Sequence, residues 1–268
     1  MLISTLAFTL LNASIKYLSV FTPYQLVFFR SIGSLFFTIP FLLKHKISMV
    51  GNNQKLLILR AIVGVTSMLF FFMSMKYLPL GSAVSLRYLA PLFAAFFAWV
   101  VLKEQIKPLQ WLFFLIAFIG VLMMKGFNTQ INLTGFIFIL VSAIFSGLVF
   151  VLIRKIGTQD HPVVVVHYFM IIATLVGGVL SIANWRTPEG VQWAILSSLG
   201  LFGYIGQVYM TKAFQGAQTN MVAPLKYLEV IFTMLVGIIW FEDLYNFWSL
   251  FGILLVITGL VLNMKIKA

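Results

Sequence analysis

Leu86-Arg87-Tyr88-Leu89 lies inside one long apolar run, and Leu225-Lys226-Tyr227-Leu228 lies inside another, 139 positions later. The same offset carries Pro23 onto Pro162 and Lys16 onto Lys155. It also carries Ala61, Gly64 and Ser67 onto Gly200, Gly203 and Gly206, Glu104 onto Asp243, and Gly120 onto Gly259. Apolar runs align easily with one another, so the Arg/Lys and Pro matches carry the weight. One constant offset over so long a stretch implies a tandem duplication, with halves at residues 1–125 and 133–265.

The surrounding sequence says what solvent these halves meet. Hydrophobic residues make up 62% of the 268, charged residues only 9%, and the mean hydropathy is +1.06. A soluble domain carries roughly 25% charged residues. The chain cannot clothe its surface with water-compatible groups, so most of it must face lipid. Ten apolar runs can be marked, at 2–18, 24–43, 56–76, 81–102, 107–125, 133–155, 162–183, 192–213, 218–241 and 247–265. Each is long enough to cross about 30 Å of hydrocarbon as a helix. The runs are continuous, whereas barrel strands alternate polar and apolar residues. The expected fold is an all-α polytopic membrane protein of ten transmembrane helices. The first run lacks a basic leader and a small-residue cleavage site, and reads as a span rather than a removable signal.

The net charge of +12 would suggest nucleic acid in a soluble protein. Here the basic residues sit at the ends of apolar runs, as topology signals do, and no nucleic-acid partner is expected. With the N-terminus in the cytoplasm, eleven Lys and Arg, Arg60 among them, fall at inner ends and four at outer ends. That bias predicts a multi-pass protein of the plasma (cell inner) membrane with both termini cytoplasmic. Five spans per half is an odd number, so the second half must enter the membrane upside down. Inverted five-helix repeats are the architecture of secondary transporters, whose solute site lies near the midplane between the halves.

Further residues connect the chain to a family. They are Tyr77-Leu78-Pro79-Leu80 followed by Gly81-Ser82-Ala83, Arg30 following Pro23, and the two runs that end at Glu104 and Glu242. With these, nearly the whole chain resembles the EamA-type members of the drug/metabolite transporter superfamily, as two EamA-like units. The resemblance implies ten helices, cytoplasmic termini and a central substrate cavity. It does not name a substrate, because the superfamily spans amino acids, nucleotide-related compounds and drugs. Some relatives look like S-adenosylmethionine carriers, so a nucleotide-related solute exchanger is an alternative.

Charges in hydrocarbon are costly and each one wants a reason. Arg30, Arg87, Lys226 and Glu229 lie well inside spans. Lys226 and Glu229 are three residues apart on one helical face. They either neutralise each other or line a cavity, Lys226 holding an acid group of the solute and Glu229 its amine or a proton. Arg87 is the repeat equivalent of Lys226, and inversion puts one cation on each side of the midplane. Pro91, four residues after Arg87, removes a backbone hydrogen bond, and the freed carbonyl is best tolerated beside water or solute. Thr5, Thr9, Asn12 and Lys16 form one polar stripe; Tyr204, Gln207, Thr211 and Gln215 form another. Such stripes serve interhelical hydrogen bonds or a cavity. The expected substrate-binding set is Asn12, Arg87, Tyr204, Gln207, Lys226 and Glu229. Arg30 reads as structural, the Gly200, Gly203, Gly206 series as close packing, and His167 as hydrogen-bonded to a neighbour.

No cysteine is present, which excludes thiolate metal sites and disulfides. No phosphate-binding loop appears, so the chain is not a self-contained ATP-driven pump. No cofactor and no metal are expected. Partners are a small-molecule solute and the lipid bilayer, the chain being a homodimer or a monomer. A membrane enzyme acting on lipid-linked or small substrates is the rival from another class, but no paired carboxylates or Ser/His/Asp grouping stands out. The preferred reading is export or exchange of an amphiphilic solute bearing an acid group.

Overall fold

The computed structural model describes residues 1–18, 20–78, 80–125, 132–241 and 247–265. Pro79, Glu242, Asp243, Asn246 and Lys267 lie outside the described residues. The described chain is all helical: α1 Leu2–Lys16, α2 Pro23–Lys44, α3 Gln54–Ser74, α4 Leu80–Arg87, α5 Ala90–Leu102, α6 Pro108–Lys125, α7 Leu133–Ile156, α8 Pro162–Ser181, α9 Gln192–Gly216, α10 Thr219–Val222, α11 Leu228–Phe241 and α12 Phe247–Lys265. Local chemistry sets the ends. Thr22, Asn53 and Asn132 accept N-cap hydrogen bonds at α2, α3 and α7, and Pro23 and Pro162 occupy the first turns of α2 and α8. A missing amide there costs nothing, because first-turn amides have no helical partner.

Polarity is arranged inside out. Phe36, Ile239 and Phe247 are more than 70% exposed, whereas Arg60 and Thr38 are completely buried. Water would not tolerate the first set on a monomer surface, and lipid would not tolerate the second. This arrangement makes the chain a multi-pass membrane protein. Five helical stretches, 23–44, 54–74, 133–159, 162–184 and 219–240, are individually long and apolar enough to cross a bilayer. Shorter apolar helices cover 2–15, 90–102, 108–123 and 250–263. α9 is 25 residues long but carries serines, glutamines and glycines that turn towards other helices.

Two apolar runs depart from the expected continuous helix. The run at 81–102 breaks between Arg87 and Ala90, dividing α4 from α5. The run at 218–241 is divided by a 3-10 segment at Ala223–Tyr227, between α10 and α11. Pro91 stands in the first turn of α5, where its missing amide is harmless, so it marks the restart of the helix. Pro224 lies in the 3-10 segment.

The packing pairs recur under the 139-residue offset. α2 packs on α9 and α3 on α8; α1 packs on α9 and α7 on α3. α6 and α12 pack on each other. A Cβ on Gly120 would lie 2.6 Å from Gly252 O and 2.8 Å from Val256 N. One on Gly259 would lie 2.8 Å from Phe113 O and 2.9 Å from Ala117 N, and these partners are related by the same offset. Tyr88 and its equivalent Tyr227 meet each other, ring centroids 6.1 Å apart. The glycines of α9 act as the packing reading expected. Gly200 abuts Gly33 of α2, Gly203 abuts Arg30 and Ser34, and Gly206 abuts the Phe8 ring. Small residues let helices in lipid approach to backbone contact and gain dispersion energy there.

Candidate functional site

The two helix breaks deliver charged groups to one internal cavity. Arg87 is the last residue of α4, and Lys226 lies in the 3-10 segment ahead of α11. Glu229 stands in the first turn of α11, where the positive end of the helix dipole favours a carboxylate. The cavity is partly open at one mouth. Five of the six expected residues line it: Asn12, Arg87, Gln207, Lys226 and Glu229. Arg30 and Arg60 line it too.

Tyr204 does not reach the cavity. Its ring stacks on Phe37 of α2, with centroids 5.6 Å apart and planes 21° apart. Its helix turns Gln207 and Met210 to the cavity instead. Arg60 departs from the end-of-run position its place in the sequence suggests. It sits six residues into α3, about 9 Å along the axis, and is completely buried. Composition gave no warning, because a cation one or two turns inside a span looks like a topology signal. A usable signal was present: the run Leu56-Leu57-Ile58-Leu59 already places apolar sequence before it.

Each oxygen of the Glu229 carboxylate has a partner. Glu229 Oε1 accepts from Asn12 Nδ2 at 3.0 Å, and Lys226 Nζ forms an ion pair with Oε2. Thr9 Oγ1 of α1 also donates to the Glu229 carbonyl, at 3.4 Å. Lys226 and Glu229 thus form a local ion pair, and both stand on the cavity wall. Three other stripe residues make hydrogen bonds outside the cavity. Thr5 and Thr9 bond back to their own helix, and Gln215 Nε2 donates to Asp160 O at 2.9 Å. His167 Nδ1 contacts Thr38 Oγ1 at 3.0 Å, away from the cavity.

The arginines are held differently. Arg60 Nη2 donates to Gln207 Oε1 at 2.8 Å, and its guanidinium carbon lies 4.4 Å from the Phe169 ring centroid. Arg30 Nη1 contacts Met68 Sδ at 3.0 Å. Arg87 lies 4.1 Å from the Phe71 ring centroid, and Lys226 lies 4.5 Å from that of Phe8. A cation over an aromatic face gains about 0.5–2 kcal/mol. Removing an ion from water costs several kcal/mol, so the rings offset only part of that. Among the described residues no group of three or more His, Asp or Glu side chains could hold a metal.

Comparison with known proteins places this architecture. The profile described as the EamA-like transporter family matches residues 1–125 and 133–265. The pseudopaline exporter CntI of Pseudomonas aeruginosa is 26% identical over 271 residues, covering 99% of this chain and 94% of its own. Human solute carrier family 35 member G1 is 27% identical over 277 residues, covering 96% of this chain and 76% of its own. A solved crystal structure superposes with a TM-score of 0.86 over 98% of this chain and 96% of its own, at 16% identity, a likeness of fold.

Proposed function

The chain belongs to the EamA-like transporter family, and from that premise we propose that it is a secondary transporter carrying a small organic solute with an acid group by alternating access. It crosses the plasma (inner) membrane ten times, as two five-helix halves of opposite orientation, with both termini in the cytoplasm. Transport is export or exchange, driven without ATP. The observation that carries this reading is the cavity itself, a largely apolar chamber walled by helices of both halves, into which, among the described residues, four cations and one carboxylate are set. Arg87 and Lys226, Asn12 and Glu229, and Gln207 contact the solute. Glu229 receives an amine or a proton.

Several observations support an inverted pair of halves moving about a shared seam. Equivalent residues Tyr88 and Tyr227 face each other, and the glycine contacts of α6 and α12 exchange under one offset. Both halves break a helix beside an equivalent cation, which suits a site where unwound backbone borders a cavity. The cationic lining argues against a positively charged nucleotide-related solute and favours an acid.

The decisive experiment uses purified protein in proteoliposomes challenged with a pool of isotopically labelled cell-extract metabolites. Saturable, protein-dependent accumulation of an organic acid is expected. Conversion of a solute into a new product, with no flux of any solute, would support the membrane-enzyme reading instead. Inversion has its own test, helped by the absence of native cysteine. Single cysteines replacing Lys16 and Lys155, equivalent positions, should react with impermeant maleimide from opposite sides of the membrane.

A further inference from the structure

Among the described residues four cations line the cavity, Arg30, Arg60, Arg87 and Lys226, against the single carboxylate of Glu229. That carboxylate is already committed to Lys226 and Asn12. No carboxylate of the described residues comes within ion-pair distance of the three guanidinium groups. The other described acids are employed elsewhere or lie off the cavity. Glu104 accepts from the amides of Thr219 and Asn220 and faces Arg154, while Asp160 accepts from the amide of Asn53. Glu189 lies in the loop before α9.

The arginines also keep unused donors. Arg60 is completely buried, and its Nε and Nη1 have no hydrogen-bond partner; Arg30 is 6% exposed, and its Nε has none. A buried guanidinium offers five N–H donors in a planar fork suited to carboxylate and phosphate oxygens. Here the forks are steadied by side chains that supply no charge, namely Gln207, Met68 and the rings of Phe169 and Phe71. Three uncompensated cations in one low-dielectric chamber repel one another. They persist together where the chamber's occupant brings the missing negative charge.

We propose that the solute is a polyanion, an organic molecule carrying at least two negative oxyanion charges, as two or more carboxylates or as a phosphate monoester. The inference rests on the transporter reading for its setting but makes a separate claim about charge. Arg60 and Arg30 grip one oxyanion from the side of α3 and α2, and Arg87 grips a second from the end of α4. Lys226 keeps its ion pair with Glu229 while it faces the same solute. A monocarboxylate would neutralise only one of the three.

Binding and flux are measured separately on the same purified protein. Thermal unfolding in detergent is followed with citrate, glycerol 3-phosphate, acetate and the zwitterion betaine, at constant ionic strength set by sodium chloride. Citrate or glycerol 3-phosphate should protect at a half-maximal concentration at least tenfold below that of acetate. Protection by citrate alone identifies a polycarboxylate site, and protection by glycerol 3-phosphate alone a phosphate site. Arg60→Gln and Arg87→Gln should each raise that concentration at least tenfold; Arg87, the less buried, serves if the first variant fails to fold. Equal protection by acetate and citrate, or protection by betaine alone, or no protection by either polyanion, overturns the inference. Proteoliposome flux of a neutral or zwitterionic solute would then leave transport standing without it. Polyanion binding with no flux of any solute would do the reverse.

Discussion

Arg60 Nη2 donates to Gln207 Oε1 across 2.8 Å, and this bond ties α3 to α9 at the cavity wall. The pair joins two residues 147 positions apart, each contributed by a different half of the chain. Its removal has a definite sign. Gln207→Leu leaves a buried guanidinium with no oxygen acceptor, and stability should fall by about 1–3 kcal/mol. Gln207→Glu supplies a charged acceptor instead, so its thermal midpoint in detergent should lie above that of Gln207→Leu. It should also weaken polyanion binding by placing a carboxylate beside the cations. Equal midpoints for the two variants would show that the hydrogen bond carries no weight.

Lys226 and Glu229 allow a cycle of substitutions. Lys226→Gln strands the Glu229 carboxylate with Asn12 alone, and Glu229→Gln strands the ammonium over the Phe8 ring. Each single change should cost about 3–5 kcal/mol, because it leaves one buried charge unpaired. The double variant Lys226→Gln/Glu229→Gln should be closer to wild type than either single variant. Chemical or thermal unfolding of all four proteins measures the coupling. Additive single effects would mean that the two groups do not depend on each other.

Backbone contact between α2 and α9 makes a sharp steric prediction. A Cβ on Gly200 would lie 2.6 Å from the Cα and carbonyl carbon of Gly33, where no side chain can yield. Gly200→Ala should therefore force the helices apart and cost about 1–3 kcal/mol. Gly216 meets nothing within 4 Å at the end of the same helix, so Gly216→Ala serves as the matched control. The control should be neutral or slightly stabilising in the same thermal assay.

His161 couples stability to pH at one end of the bundle. It is the N-cap of α8, and its Nδ1 accepts from Val163 N at 3.3 Å. Only a neutral ring can accept there. Burial, with Lys212 and His45 nearby, lowers the pKa of the ring below the ordinary histidine range. The folded state therefore binds this proton less readily than the unfolded state does. The stabilisation is complete above the ordinary value of about 6.5 and is lost as pH falls from there through the folded value. The midpoint should drop between pH 7.5 and 5, and His161→Asn, which caps without titrating, should flatten part of that slope. A slope unchanged in His161→Asn would assign the acid sensitivity to other groups.

Sequence alone determined the solvent and the helices. The charge content is too low for a water-covered surface, and every apolar run corresponds to helix among the described residues. Hydropathy is a local property, written into each segment whatever it packs against, so it is readable without partners. The family was legible in Arg30 and the span ends, and the 139-residue offset in Arg87 and Lys226.

Tertiary packing decided which polar groups share a chamber. Tyr204 and Gln207 lie on one stripe, yet Phe37 covers the first while the second meets Arg60. The sequence required only that the stripe avoid lipid, and a neighbouring ring satisfies that as well as a cavity does. Arg60 has the local sequence of an interfacial cation, but α9 and the Phe169 ring close over it. Broken helices were equally hidden, since α4 to α5 and α10 to α11 unwind beside cations whose contacts come from distant segments. A side chain's surroundings are fixed by helices that arrive from elsewhere in the chain, and no window of sequence contains them.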